Sequence, residues 1–268
     1  MLNMLRMDLR RMFRAKMMFI AFLCLSVGIL ISIITLRTVT DPELRQQAID
    51  AGVEITSDDQ TDFNAIRSLT ETQALCTTIY SGSFIFVALY IIVVLFVCND
   101  YSSGFAKNIF SFCGSRWRYF FSKLLCMIAV CALWILGSFL VFRISSLLGG
   151  MNFVRSGIDE YLKVFLGYLF VGTAFCAQAI FLSVWLRSEG AGIAAAIVLP
   201  GGIVTVMLEA LLGNWGISII DRTLYGSVQA ITASVTQGGP SAGAAVIAGI
   251  WLAVWTVLSL LALYKKDI

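Results

Sequence analysis

The chain has 268 residues, of which 59% are hydrophobic and 13% are charged, and its formal net charge is +3. A soluble domain normally carries about a quarter charged residues, so this composition argues against an ordinary water-soluble domain. Histidine is absent, which removes the commonest metal ligand and the usual neutral-pH proton shuttle and disfavours enzymes that depend on either.

Residues 1–16 predict an amphipathic helix that lies in the membrane interface. Arginines recur every four residues on one face, at Arg6, Arg10 and Arg14, where they can reach lipid phosphates. Apolar side chains recur at helical spacing on another face: Leu2, Leu5, Leu9, Met12 and Phe13. A disordered basic tail that only sets the topology is the alternative.

Six apolar stretches follow, each about as long as a membrane-spanning helix. A helix rising 1.5 Å per residue needs roughly 20 residues to cross a hydrocarbon core of about 30 Å. All but the fifth stretch lack ionisable residues. The sequence therefore predicts an all-α integral membrane protein with one domain, residues 1–268, and six spans at residues 17–36, 79–98, 124–142, 164–186, 191–212 and 243–263.

The connector at residues 37–78 is long and acidic, and we expect it to be an extracellular loop. Its acidic residues outweigh its arginines, Arg37, Arg45 and Arg67. It can fold as a small helical cap over the exit of a pathway, or it can be loosely ordered, because polar residues dominate residues 56–64.

The connector at residues 99–123 is the most informative loop. Gly104 and Gly114 mark the ends of a helix of two to three turns. Between them lie large apolar residues, Ile109, Phe110 and Phe112, in a connector that has no core of its own. This exposure predicts a partner surface.

This segment resembles the coupling segment of permease subunits of ABC transporters of the type 2 exporter family. The positions that match are Asp100, Tyr101, Gly104, Lys107, Arg116, Tyr119 and Lys123. The sequence departs from the family pattern at Phe105, where threonine is common, and at Gly114, near a usual proline. The resemblance extends to the basic interfacial helix, the six-span layout and the loop before the last span.

The resemblance implies a coupling helix on which a separate cytoplasmic ATPase acts, and a pathway formed by two permeases, either identical or homologous. The sequence has no Gly-rich phosphate loop with Lys and Ser or Thr, so ATP and Mg are expected in the partner ATPase. We expect this chain not to be an enzyme and to hold no catalytic, cofactor or metal site. Simple anchoring to lipid phosphates is the alternative for Arg116, Arg118 and Lys123.

The fifth stretch is interrupted by Pro200, Gly201 and Gly202, which predict a kink because proline removes a backbone hydrogen bond. The kink can be a moving hinge or gate, or it can be static. Glu209 lies near the end of the stretch, and an ionisable group inside a span is a functional candidate. It can pair with Arg143 or Arg37, or it can be hydrated at the interface.

The connector at residues 213–242 is unusually apolar for a loop, and the family resemblance implies that it re-enters the outer leaflet as short helices. Lys and Arg are concentrated before the first span, in the connector at residues 99–123 and at the C-terminus. Because basic loops stay in the cytoplasm, both termini are predicted to be cytoplasmic. The expected location is a bacterial plasma membrane.

The preferred function is ATP-driven export of an amphipathic peptide, an antimicrobial compound or another hydrophobic cargo, since the spans offer aromatic side chains and almost no charge. Export of a lipid-linked polysaccharide or lipid is the alternative. An ion-coupled secondary transporter usually needs intramembrane charges or matched broken helices, and an intramembrane enzyme needs catalytic groups that the spans lack. Membrane lipid is an expected partner, and nucleic acid is not.

Overall fold

The computed structural model describes residues 2–51, 68–113, 116–213, 218–238 and 241–265. The side chains of residues 111–113 lie outside this description, and so do residues 56–64 and Gly114 of the predicted connectors. The described part of the chain is almost entirely helical, and its one β-bridge pairs Thr70 with Val154. The prediction of an all-α fold is confirmed for these residues.

The helices are numbered in chain order. They are α1 Leu2–Arg14, α2 Lys16–Thr40, α3 Pro42–Asp50, α4 Glu71–Leu75, α5 Phe84–Ser102, α6 Phe105–Cys113, α7 Arg116–Leu148, α8 Ile158–Leu186, α9 Glu189–Val198, α10 Ile203–Leu212, α11 Leu224–Gln237 and α12 Ala242–Lys265. A π-helical turn, Cys76–Tyr80, follows α4, and a 3-10 turn, Ile220–Arg222, precedes α11.

Several of these helices are long and apolar enough to cross a membrane. Five qualify alone, namely α2, α5, α7, α8 and α12. The fifth predicted span is split into α9 and α10, which are bent by 52° at the break, so the number is six if this pair counts as one span. The helices extend beyond the predicted stretches, because backbone hydrogen bonding does not stop at a charged residue. For example, α7 runs from Arg116 past Arg143 to Leu148.

Helix α8 is the central helix, and it packs against α5, α7, α11 and α12. Small residues allow this close approach: a Cβ atom at Gly172 would lie 2.6 Å from the sulfur of Cys131 on α7. By contrast, only 17% of the apolar window of α2 and of α12 is buried within the chain. Helices α2 and α12 therefore form the periphery, and their apolar faces are available to lipid or to another chain.

Side-chain contacts gather the ends of five helices at one end of the bundle, here called the basic end. Arg11 of α1 binds Asp100 near the end of α5, and Arg116 at the start of α7 binds the backbone carbonyl of Tyr264 near the end of α12. The guanidinium of Arg187, just after α8, lies 5.2 Å from the ring of Tyr101. Both ends of the described chain thus lie at the same end of the bundle.

The opposite end holds the connectors that were expected to be loops. In the connector at residues 37–78, α2 continues to Thr40, and Asp41 caps α3 by accepting a hydrogen bond from the backbone N–H of Glu43 at 3.1 Å. Thr70 and Gln73 form a capping box at the start of α4. Helix α3 makes the first part of this connector helical, and the small helical cap stays a prediction because residues 52–67 lie outside the described part of the chain.

Short helical elements also form within the connector at residues 213–242, as the family resemblance implied. Helix α11 packs against α8 and α12. The hydroxyl groups of Tyr168 and Thr232 lie 2.9 Å apart, and the amide of Gln229 donates to the backbone carbonyl of Ser81 at 2.7 Å. These bonds fix α11 to the bundle and account for its buried polar groups.

Candidate functional site: a buried charge cluster beneath α6

Four ionisable side chains from three helices meet at the basic end, here called the Lys123 cluster: Asp8, Arg11, Asp100 and Lys123. The ammonium of Lys123 lies 2.7 Å from Oδ1 of Asp8 and 2.6 Å from Oδ2 of Asp100. Nη2 of Arg11 lies 2.8 Å from Oδ1 of Asp100. Two carboxylates and two cations make the cluster neutral as a whole, which is the condition for keeping charges away from water.

Neutral donors complete the hydrogen bonding of both carboxylates. The hydroxyl of Tyr119 donates to Oδ2 of Asp100 at 3.1 Å, and the hydroxyl of Ser122 donates to Oδ2 of Asp8 at 2.9 Å. The side chains of Asp8, Asp100 and Lys123 are 0% exposed. The cluster is therefore a closed network in which every carboxylate oxygen has a partner.

Two aromatic rings close the cluster. The ammonium of Lys123 lies 4.1 Å from the ring centroid of Phe96, and the guanidinium of Arg11 lies 4.0 Å from that of Phe105. Such cation–π contacts gain strength when the cation is desolvated. Phe105 is the first residue of α6, so this contact attaches α6 directly to the cluster.

Helix α6 begins at a turn that suits glycine. Gly104 has φ of +70°, in the left-handed region that a residue with a Cβ rarely adopts. Within α6, Ile109 is buried and the ring of Phe110 lies 5.1 Å from that of Tyr119, while Lys107 and Asn108 are exposed. Helix α6 therefore turns its apolar side to the bundle and Lys107 and Asn108 outward.

This arrangement corrects the expectation that the apolar residues of the connector have no cover within the chain. That expectation is wrong for Ile109, which is 9% exposed, and for Phe110, which is only partly exposed. The side chain of Phe112 lies outside the described residues. The connector at residues 99–123 is thus partly supported by its own chain, through α5 and α7.

The predicted coupling residues occupy different positions around α6. Asp100 and Tyr119 are fully buried and hold the helix from beneath. Tyr101 lies against Arg187. Arg116 binds the backbone carbonyls of Leu263 and Tyr264, where a cation complements the negative end of the α12 dipole.

Helix α1 exposes Arg6, Arg10 and Arg14, in agreement with the predicted polar face. Its buried residues, however, are Met4, Asp8 and Met12. Leu2 and Phe13, which were expected on the apolar face, are exposed in the isolated chain.

Sequence reasoning overlooked Asp8 and Arg11. It matched Lys123 to the family pattern and left anchoring to lipid phosphates as the alternative, which the complete burial of Lys123 contradicts. One feature of the sequence could have identified the cluster. Asp8 is the only acidic residue among the first 40, and it lies four residues from both Met4 and Met12 on one helix face. An unmatched acidic residue on an apolar face indicates a buried basic partner.

The predicted kink at residues 200–202 is confirmed by the 52° bend between α9 and α10. Gly202 has φ of +77°, and a Cβ atom there would lie 2.5 Å from the ring of Tyr225. Pro200 and Gly201 lie in the same break. Movement at this hinge stays a prediction.

The expected pairing of Glu209 with Arg143 or Arg37 is wrong. The carboxylate of Glu209 accepts hydrogen bonds from the backbone N–H groups of Ile219 at 2.6 Å and Ile220 at 3.0 Å. Arg143 instead pairs with Glu71, and Arg37 lies against the backbone of Gly150. Glu209 thus stabilises the chain turn that follows α10.

The described residues contain no group of three or more Cys, Asp or Glu side chains placed to hold a metal ion. The Lys123 cluster has its carboxylates already paired, so its chemistry is structural cohesion between helices rather than ligand binding. Compared with protein-family models and with curated proteins, the sequence of this chain gives no significant match.

Proposed function

We propose that this chain is the membrane subunit of an ATP-driven exporter of the ABC type, and that α6 is the element on which a separate ATPase acts. The observation that carries the proposal is the attachment of α6, through Phe105 and Arg11, to a charge cluster that joins α1, α5 and α7 and whose other three members are fully buried. A helix with this support at one side and polar residues at the other suits the transmission of force.

The physical basis is the high cost of separating the buried charges. Helix α6 holds to the cluster through the contact of Phe105 with Arg11 and of Phe110 with Tyr119. The cluster in turn holds α1, α5 and α7 together, because breaking a buried pair such as Asp100 with Lys123 costs about 3–5 kcal/mol. A push on α6 would therefore displace α1, α5 and α7 together. Rigid-body movement of packed helices is a standard route for switching between two states.

The orientation is proposed from charge. The basic end carries the exposed Arg6, Arg10 and Arg14 of α1 together with Lys107 and Lys265, and basic segments remain in the cytoplasm. With α9 and α10 as one bent span, six crossings place both termini on that side, in a bacterial plasma membrane. The arginines of α1 then face the phosphates of the cytoplasmic leaflet.

The cargo class is proposed from the character of the spans. Their side chains are predominantly apolar and aromatic, which favours a hydrophobic or amphipathic molecule such as a peptide or an antimicrobial compound. A second permease, either a copy of this chain or a homologue, would complete the pathway. The peripheral helices α2 and α12 leave enough apolar surface for it.

Copurification tests this proposal. The chain is expressed with the genes that neighbour its own, purified in detergent, and assayed for a bound ATPase by native mass spectrometry. We expect one ATPase for each permease, and we expect Lys107→Glu on α6 to weaken binding about tenfold. Lys163→Glu, an exposed lysine at the opposite end, is the matched control and is expected to bind normally.

Two results would contradict the proposal. One is an intact chain that retains no ATPase under conditions in which the chain stays monodisperse. The other is unchanged ATPase binding and unchanged transport for Lys107→Glu, since a helix that receives the ATPase cannot tolerate charge reversal on its outward side.

A further inference from the structure

The turn between α10 and α11 lies deep along the length of α12. The backbone carbonyl of Arg222 accepts a hydrogen bond from the indole N–H of Trp251 at 2.8 Å. Trp251 lies nine residues after Ala242, the start of α12, which is about 14 Å along a helix that is about 36 Å long in all. The 3-10 turn Ile220–Arg222 is therefore near the middle of a membrane-spanning helix rather than at its end.

A second contact fixes the same depth independently. The ring of Tyr225, just after the 3-10 turn, packs against Gly202 at the break between α9 and α10. This break divides a pair of helices of ten residues each, so it also lies near mid-span. The chain that follows α10 thus returns toward the middle of the membrane before α11 begins.

Several polar side chains at this turn are exposed on the isolated chain, namely Ser218, Asp221 and Arg222. The hydroxyl of Ser218 donates to Oδ2 of Asp221 at 3.2 Å. Within the described ranges, neither Asp221 nor Arg222 forms an ion pair. Ionisable side chains at such a depth almost always face a bundle interior or a water-filled cavity, because hydrocarbon does not solvate them.

The backbone leads to the same conclusion. The N–H groups of Ile219, which precedes the 3-10 turn, and of Ile220, its first residue, have no helical partner, and the carboxylate of Glu209 accepts a hydrogen bond from each. Irregular backbone at membrane depth is tolerated only where protein buries it or where it lines a water-filled cavity. The exposed side chains on this segment exclude complete burial within the chain.

We infer that the face made by Glu209, Ser218, Asp221 and Arg222 lines a water-filled passage at the level of the re-entrant turn. This face carries both carboxylate and guanidinium groups, which suits the polar part of an amphipathic molecule. The presence of water follows from depth and charge alone, whereas passage of cargo along this face rests on the proposed export function.

Cysteine accessibility tests the inference. Asp221→Cys and Arg222→Cys are introduced separately into the full chain with Cys24→Ser and Cys113→Ser. Each variant in native membranes is treated with a charged, membrane-impermeant methanethiosulfonate. The matched control is Ile250→Cys, which lies beside Trp251 at the same depth and is 58% exposed on the outer surface of α12. We expect both turn variants to react at least tenfold faster than Ile250→Cys.

Each other outcome would overturn the inference. Equal, fast reaction of all three variants would place this level of the bundle outside the membrane. Equal, slow reaction of all three variants with the methanethiosulfonate would show that the face is dry. Spontaneous disulfide cross-linking of Asp221→Cys between two copies, without reaction with the reagent, would show that the face is a closed interface between copies. Ser218→Cys provides a second probe if Asp221→Cys does not assemble.

The experiment is independent of the ATPase. If the turn variants react faster than Ile250→Cys in a chain that retains no ATPase, the water-filled face is supported and the proposed export function is contradicted. A bound ATPase with a dry face would do the reverse.

Discussion

The two ends of the bundle each hold a carboxylate paired with a basic side chain, but the pairs differ in burial and in the number of helices they join. At the basic end, the Lys123 cluster joins α1, α5 and α7, and three of its four members, Asp8, Asp100 and Lys123, are 0% exposed, while Arg11 is 29% exposed. At the opposite end, Arg143 pairs with Glu71, and the arginine side chain is 37% exposed. Water reaches the guanidinium groups of Arg143 and Arg11, whereas Asp8, Asp100 and Lys123 are closed to it.

The comparison indicates where the structure is rigid and where it can yield. Loss of a partner in a buried network leaves an uncompensated charge, while an exposed pair is screened and contributes little. We therefore expect the basic end to move as one unit and the opposite end to rearrange more easily. Under the proposed function, this is the division expected of an exporter that is driven from its basic end.

Lys123→Met is expected to give the largest effect. It leaves Asp8 and Asp100 buried with only Arg11 to compensate them, so the free energy of unfolding should fall by about 3–5 kcal/mol. Thermal unfolding in detergent, followed by circular dichroism, measures this change. Lys163→Met, at an exposed lysine, is the control and should change stability by less than about 0.5 kcal/mol. Similar losses in the free energy of unfolding for Lys123→Met and Lys163→Met would show that the cluster is not closed to water.

A second substitution should partly rescue that loss. Asp8→Asn combined with Lys123→Met removes one of the stranded charges, so the double variant should be more stable than Lys123→Met alone. Residues in one network typically show interaction energies of about 0.5–3 kcal/mol. The same unfolding assay on the four members of this double-mutant cycle measures the value. If the changes in the free energy of unfolding caused by the two single substitutions add up to that of the double variant, direct coupling between Asp8 and Lys123 is contradicted.

Ser122→Ala should have an intermediate effect. It removes the hydroxyl that donates to Oδ2 of Asp8 and leaves a buried carboxylate oxygen without that donor, at a cost of about 1–3 kcal/mol. Ser26→Ala on α2 is the matched control, because its hydroxyl donates only to the backbone carbonyl of Phe22, which already lies within a helix. Equal stability of the two variants would argue that Ser122 does not support the cluster.

Arg143→Met should have the smallest effect of the four. Water can solvate the arginine, which is 37% exposed, so its contribution is about 1 kcal/mol, and the buried Glu71 carboxylate keeps the hydrogen bond from the hydroxyl of Tyr161 at 2.5 Å. Raising the salt concentration should narrow the difference in the free energy of unfolding between wild type and Arg143→Met, because salt screens the exposed pair. The difference between wild type and Lys123→Met should stay the same, because salt does not screen the buried pairs. A loss as large as that of Lys123→Met would remove the contrast between the two ends.

Much of the fold follows from local sequence. Stretches without charge predicted the long apolar helices, Pro200 and Gly202 predicted the break between α9 and α10, and Gly104 predicted the start of α6. Each of these features depends on hydropathy or backbone preference over a few neighbouring residues. The predicted ends of the helices were less accurate, because a charged residue such as Arg143 ends an apolar stretch without ending a helix.

The partners of the charged residues were decided by tertiary structure. Asp8 and Lys123 are 115 residues apart in sequence, and Arg11 and Asp100 are 89 apart. The local sequence around Asp8 indicates that it needs a basic partner, but the local sequence around Lys123 does not distinguish a lysine that anchors to lipid from one that is buried between two carboxylates. The sequence of this chain determined where helices can form and cross a membrane, since that depends on the length and polarity of continuous segments. Which charges are buried together was determined only when α1, α5 and α7 packed, because pairing requires the meeting of residues that are distant along the chain.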